Sequence, residues 1–254
     1  MKTILMITTN ENEINEYNHI NAYYFKNEIE RMKEIHNHNH NDITNTNKNV
    51  IMCNRQFSYD LSHIPKIQSM NAKDIATRRL LDYVHAIRKN IYLYKELKKM
   101  NDKYKNLHIA VEETSLNLPF FTGYPGPSIN ELVQTTSRCD LYRILDFMVK
   151  INMPTGDNPV QVTSHIVSLS ASLIFKRDFP SSSFVKIDET NFHYGMGIIK
   201  GRIGEPRGHF GYNFDFIFYP ENDDKSISEY ADDDRIKNNS FRRFALDNLI
   251  LTFG

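Results

Sequence analysis

Apolar residues follow two rhythms along the chain. Lys2 to Thr8 carries an unbroken run, Ile4-Leu5-Met6-Ile7, with the length and density of a buried strand. Ile14, Tyr17 and Ile20 follow at helical spacing, and Thr9-Asn10 supplies the turn that opens that helix. From Asn71 to about Asn101, Ile75, Leu80, Leu81, Val84, Ile87, Ile91 and Leu93 recur with Lys and Arg between them. That spacing predicts an amphipathic helix or helix pair lying on a sheet with its basic face in solvent. Leu107 to Val111 predicts a central strand delivering Glu112 and Glu113 at its end, the edge where open α/β sheets bind ligands. Further on, Leu141 to Ile151 and Phe241 to Leu251 predict helices, and Val162 to Phe175, Phe184 to Ile187, Ile198 to Ile203 and Phe214 to Tyr219 predict strands, with Pro180-Ser181-Ser182-Ser183 in a turn. Strand-helix alternation followed by a run of strands gives an α/β fold class.

Composition narrows the function more than the fold. A chain of 254 residues with 40% hydrophobic content can bury one sizeable core, or two lobes sharing a sheet. Lys plus Arg equals Asp plus Glu at 31 each, so no overall field draws a nucleic acid polymer or an anionic membrane, and any attraction for phosphate must be local. No apolar run approaches membrane-spanning length, and the N-terminal segment lacks the pattern of a secretory signal, which predicts a soluble cytoplasmic protein. Two cysteines, Cys53 and Cys139, argue against a disulfide framework or a cysteine-rich zinc site. His36, His38 and His40 alternate within an Asn-rich stretch at about 36–49; on an extended strand they would share a face, but the stretch reads as a low-complexity loop without function.

The chemistry concentrates near the C-terminus. Gly211 to Pro220 reads GYNFDFIFYP, preceded by Pro206-Arg207-Gly208 and followed by Lys237-Asn238-Asn239-Ser240-Phe241-Arg242. The rings of Tyr212 and Phe214 can stack on a planar base, Asp215 can accept hydrogen bonds from a base edge or ribose, and Lys237 and Arg242 can meet phosphate or carbonyl oxygens. The same residues also fit a hydrophobic strand between turns with a basic helix start behind it. Glu112 and Glu113 offer two adjacent carboxylates, although paired acids on a surface turn are usually only solvated.

Read in order, these blocks resemble the signature of the inosine triphosphate pyrophosphatase family: PRG, then GFG(W/Y)DPIFxP, then a Lys and SHR. Gly211, Asp215, Ile217, Phe218 and Pro220 fall in register, Tyr212 and Phe214 keep aromatic character, and Lys237, Ser240, Arg242 and Ala245-Leu246 match. Asn213 replaces a Gly, Phe216 a Pro, and Phe241 a His. Val111 to Leu116 with Gly123 to Pro127 resembles the family's ED(T/S)xL segment and GxPGP turn, and Ile64 to Ser69 with Ala72 to Ala76 resembles PEIQ and the helix behind it. Ile4 to Asn10 resembles the first strand and TGN turn, and Gly197 to Ile203 the GxxxGxI strand pair.

The resemblance implies a single domain over 1–254 with an insertion at about 36–49, built as an elongated mixed central sheet with flanking helices and two lobes separated by a nucleotide-binding cleft. It implies hydrolysis of ITP, dITP and XTP to monophosphate and pyrophosphate, a Mg2+ cofactor and a homodimer. It assigns Glu113, with Glu112 beside it, to activating water or supporting metal, and Thr8, Thr9, Asn10, Tyr212, Phe214, Asp215, Lys237, Ser240 and Arg242 to the substrate. Arg242 would donate to the six-position carbonyl of the base, and Phe241 removes a donor there. Two positions invert their charge: Glu13 stands where the family has Lys, and Lys66 where it has a metal-binding Glu. A protonated Lys cannot ligate magnesium. An exchange of roles is therefore expected, with Lys66 holding phosphate and Glu13 holding metal. The alternative is a descendant that binds nucleotides or partners without turnover.

Overall fold

The apolar run read from the sequence forms β1 (Lys2–Met6), and β2 (Asn49–Cys53) and β3 (Leu107–Asn117) both run parallel to it. The structure, a computed structural model, describes residues 2–8, 10–38, 49–53, 64, 66–104, 107–151, 164–174 and 192–253. β3 outruns its parallel neighbour: the β1 register stops at Met6 opposite Ala110, whereas β3 continues to Asn117. From His108 to Asn117 β3 pairs antiparallel with β5 (Ser164–Ile174), β5 in turn with β6 (Phe192–Ile203), and β6 with β7 (Phe218–Pro220), while β4 (Pro125–Gly126) pairs with the far end of β3. Among the described residues the sheet is seven-stranded and mixed, in the order β2-β1-β3-β5-β6-β7 with β4 off the path.

Alternation along the parallel strands divides the core. Leu5, Ile7, Ile109 and Val111 face α2 (Ala72–Lys89) and α3 (Ile91–Tyr104), which contribute Leu80, Val84, Ile87, Leu93 and Leu97. Ile4, Met6 and Ala110 face α1 (Glu11–His38) and α7 (Phe241–Thr252), which contribute Ile14, Tyr17, Ile20, Leu246 and Leu249. A third cluster covers the antiparallel end, where Leu116, Leu118, Ile199, Phe214 and Phe218 meet Ile129 of α4 (Ile129–Thr135) and Leu141 and Leu145 of α5 (Arg138–Ile151). Burying each such aliphatic side chain contributes about 1.5–3 kcal/mol. The helical pattern over Asn71 to Asn101 is a helix pair. Asn90 separates them: its N–H caps α2, and its Oδ1 accepts from the backbone N–H of Tyr92 and of Leu93, both at 3.1 Å. α7 lies against β6 backbone to backbone, because a Cβ on Gly195 or Gly197 would fall 2.1 Å from the Ala245 carbonyl oxygen or 1.9 Å from that of Phe241.

Several expectations are corrected. β3 does not end at Val111, so Glu112 and Glu113 are mid-strand residues and not the tip of a turn. Phe214 to Tyr219 is not one strand; 213–217 form consecutive turns and only Phe218–Pro220 pairs. Gly211 (φ 74°) and Asn213 (φ 57°) adopt left-handed backbone that a strand cannot contain. His36 and His38 fall on the α1 helix, and His40 lies outside the described residues, as do Phe184 to Ile187 and Pro180 to Ser183. α4, β2 and α6 (Asp232–Asn238) have no counterpart in the sequence reading. No helix among the described residues is long and apolar enough to cross a membrane.

Candidate active site

The site forms where β1 stops and β3 runs on. Two and three residues past the last parallel pair, Glu112 and Glu113 project to opposite faces of the sheet, as successive strand residues must. Glu112 turns toward α1 and α7, where its Oε2 accepts from Arg242 Nε at 3.1 Å and its Oε1 from the Thr114 hydroxyl. Glu113 turns toward α2, where its Oε1 accepts from Lys66 Nζ at 2.6 Å and its Oε2 from Arg79 Nη1 at 3.2 Å. Arg79 also donates to the Glu112 carbonyl, at 3.3 Å, and so spans both residues. Burial raises the Glu113 carboxyl above its usual range, a shift that Lys66 and Arg79 oppose.

On the α1 side, two acids one helical turn apart share Arg242. Burial alone would raise the Glu16 carboxyl, but Arg242, Arg235, Ser240 and Tyr212 together hold it below its usual range. Its Oε2 accepts from Arg242 Nη1 at 3.0 Å and from the Tyr212 hydroxyl at 3.1 Å; its Oε1 accepts from Ser240 Oγ at 2.8 Å and lies 3.3 Å from Arg235 Nη1. Glu13 accepts from the Thr8 hydroxyl and from Asn10 Nδ2 at 3.3 Å, and its Oε1 lies 4.0 Å from Arg242 Nη2. Burial and the nearby Glu112 carboxylate push Glu13 up. Thr8 Oγ1 also accepts from the Asn10 N–H at 3.1 Å, so the strand-to-helix turn is pinned to Glu13.

Arg242 is the hub of this network. It sits 2% exposed, donates to Glu112, Glu16 and, at 3.0 Å, Thr114 Oγ1, and places its guanidinium carbon 5.0 Å from the Tyr212 ring centre and 4.7 Å from that of Phe241. Ser240, the N-cap of α7, accepts from the Arg243 N–H, which starts the helix at the residue before Arg242.

The structure thus brings Thr8, Asn10, Glu13, Lys66, Glu112, Glu113, Tyr212, Ser240 and Arg242 into one linked cluster. Thr9 lies outside the described residues. Lys237 stands exposed on α6, and it is its backbone carbonyl that accepts from Arg243 Nη2 at 2.9 Å. Phe214 is 1% exposed within the third core cluster, stacked on Phe241 with ring centres 6.4 Å apart. Asp215 is 3% exposed and holds the turn, its Oδ2 accepting from the Tyr212 N–H at 2.9 Å; burial pushes its carboxyl up to about 6. Glu16, Arg79 and Arg235 are members of the cluster that the sequence reading missed. Glu16 did leave a signal, a carboxylate set inside the apolar stripe of Ile14, Tyr17 and Ile20.

The acids do not form a resident metal site as they stand. Among the described residues no group of three or more His, Cys, Asp or Glu converges on a point that could hold an ion. Glu112 and Glu113 look away from each other, and each is already met by a guanidinium or ammonium group, so the expected set of Glu112, Glu113 and Glu13 does not fit a protein-held Mg2+.

Fold and site together define a mixed α/β protein with a buried acid-guanidinium cluster at the junction of its parallel and antiparallel halves. The sequence pattern of the Ham1 family matches residues 4–251, and the chain belongs to that family. Similar solved structures include a HAM1 protein from Coxiella burnetii (14% identity, all of both chains covered, TM-score 0.58) and the Ham1 protein of Staphylococcus aureus (15% identity, 97% of this chain and 95% of that one, TM-score 0.51). A nucleoside-triphosphatase / dITP/XTP pyrophosphatase from Mycobacterium abscessus is also similar (14% identity, 99% and 100% covered, TM-score 0.50). No curated protein sequence matches significantly.

Proposed function

We propose that this chain is a nucleoside triphosphate pyrophosphatase that cleaves ITP, dITP and XTP between the α- and β-phosphates, releasing monophosphate and pyrophosphate. Family membership supports the reaction class, and the single observation that carries it here is the linked cluster joining the Thr8-Asn10 turn, β3, Lys66 and α7. In this reading the base lies against Tyr212, the half-buried ring of the 211–215 turn, and the phosphates extend toward Lys66 and Arg79. Arg242 is buried and donates to three side chains of the cluster, so it is a positioning residue that fixes Glu112, Glu16 and Tyr212 from beneath. Asp215 positions the turn in the same way.

Of the four carboxylates, Glu13 is the one hydrogen-bonded by neutral donors alone, Thr8 and Asn10, and its side chain is the most exposed at 20%. It is therefore the group we assign to taking a proton from the attacking water. No residue here is assigned to hold magnesium; any such ion would be one associated with the triphosphate itself, where it would neutralise phosphate charge. Glu13→Gln should lower kcat for ITP by about 100-fold or more while leaving ITP binding in place, as loss of a general base does. Pyrophosphate release from ITP, XTP and dUTP by the purified protein tests the whole reading. A second reading, nucleotide binding without turnover, is favoured by one observation, the occupation of both Glu113 oxygens by protein cations; binding of ITP with no pyrophosphate released would establish it.

A further inference from the structure

The charges around Glu113 do not cancel. One carboxylate, 1% exposed, faces two cations, Lys66 at 2.6 Å and Arg79 at 3.2 Å, so the trio carries a surplus positive charge. Both cations reach solvent, with side chains 27% and 20% exposed. Glu13 takes part of the Arg79 field and Glu112 acts on Glu113, yet Glu13 makes its hydrogen bonds to Thr8 and Asn10 and the Glu112 carboxylate is paired with Arg242, so the Lys66 end stays cationic. A half-buried surplus of positive charge is stabilised by an anion and opposes the approach of a divalent cation to the same carboxylate. An ammonium also brings three donors and no lone pair, which suits phosphate oxygens and excludes metal ligation. Its hydrogen bond to Glu113 holds it in place without spending its other two donors.

We propose that Lys66, anchored by Glu113 and seconded by Arg79, is a built-in cation that takes the place of a protein-held divalent ion, so that binding of the triphosphate tail of a nucleotide does not require metal. The proposal rests on the reading of this cluster as a nucleoside triphosphate site. It makes Lys66 a determinant of metal dependence as well as of affinity.

Calorimetric titration of the full chain with ITP in EDTA and in magnesium tests it, together with Mn2+ binding followed by electron paramagnetic resonance. The wild type should bind ITP in the two media within about threefold of the same Kd and hold no tight Mn2+. Lys66→Glu should lose roughly 100-fold or more of the EDTA affinity, recover most of it with magnesium, and gain one tightly bound Mn2+. Lys66→Arg should keep the EDTA affinity, and the neutral Lys66→Met should lose at least about tenfold of it, which keeps the proposal testable if Lys66→Glu does not fold. A wild type that binds ITP only with magnesium overturns this proposal alone. Lys66→Met with unchanged EDTA affinity also overturns it. A wild type that binds ITP in neither medium overturns it together with the nucleotide reading on which it rests.

Discussion

Replacing Arg242 by Met keeps an unbranched side chain in the same space and removes the guanidinium that serves two buried acids. Arg242 Nε donates to Glu112 at 3.1 Å and Nη1 to Glu16 at 3.0 Å, with Glu112 6% and Glu16 1% exposed. Water cannot replace the lost partner at such depth, and breaking one side of a buried pair costs about 3–5 kcal/mol. Glu16 retains Arg235, Ser240 and Tyr212, so the loss falls mainly on Glu112. For a chain of this size, that destabilisation lowers Tm by roughly 6–20 °C. The share of the loss that falls on Glu16 sets a pH sign, because Arg242 is the foremost of the groups that hold its carboxyl below the ordinary glutamate value of 4.5. The stability it supplies is complete above that value and is lost as pH falls through the lower folded-state value; the gap between wild type and Arg242→Met should therefore be widest near neutral pH and narrow in acid. Scanning calorimetry at several pH values measures both quantities. Adding Glu112→Gln to the variant should recover at least about 1 kcal/mol, since the buried acid that lost its guanidinium then carries no charge. Melting of Arg242→Met within about 2 °C of wild type at pH 7.5, or no recovery in the double variant, would refute the view that this guanidinium holds the cluster together.

Other substitutions probe the supports of the site. Gly197→Ala places a Cβ 1.9 Å from the Phe241 carbonyl oxygen and 2.6 Å from the Ala245 nitrogen, so α7 must move away and carry Arg242 with it; a loss of about 1–3 kcal/mol in denaturant melts and a weaker ITP affinity are expected. Asp215 has its carboxyl raised from 3.8 to about 6, so its ionisation opposes folding in that window and wild-type stability falls as pH climbs through it. Asp215→Asn can still accept from the Tyr212 N–H and should remove up to about 3 kcal/mol of that fall between pH 4 and 7, read as a flatter profile of Tm against pH. Glu113→Gln should weaken the hold on Lys66 and Arg79, raising KM for ITP more than it lowers kcat in steady-state assays, whereas Glu13→Gln should do the reverse.

What the sequence discloses and what it hides have physical reasons. β1 and the start of β3 are buried on both faces, so they appear as continuous apolar runs, and the helix pair 72–104 keeps its stripe because one side always meets the same sheet. The continuation of β3 is hidden because Glu112 and Glu113 resemble the end of a strand. They remain in it because partners 130 and 47 positions away neutralise them, and no local pattern carries that fact. The aromatic run from Phe214 to Tyr219 has strand propensity, but Gly211 and Asn213 force left-handed turns and Asp215 ties the Tyr212 N–H, so the rings are buried without a ladder. The resemblance singles out Glu13 and Lys66 as charge-inverted positions, and the structure places both in the cluster; it could not show that Glu112 and Glu113 serve opposite faces. Arg79 and Arg235 pass in the sequence for ordinary basic residues beside Leu80 and Ile236.

The hydrogen bond from Arg242 to Glu16 closes a separation of 226 residues, and Ser240 meets the same glutamate across 224. During synthesis, α1 and β3 leave the ribosome long before their counter-charges exist. Until residue 242 has emerged, docking α1 onto the sheet would bury Glu16 and Glu112 without the guanidinium that serves both, so the nascent chain is held back from premature collapse. Truncated products ending before α7 should therefore be captured by chaperones or proteases and not accumulate as half-built, nucleotide-binding fragments.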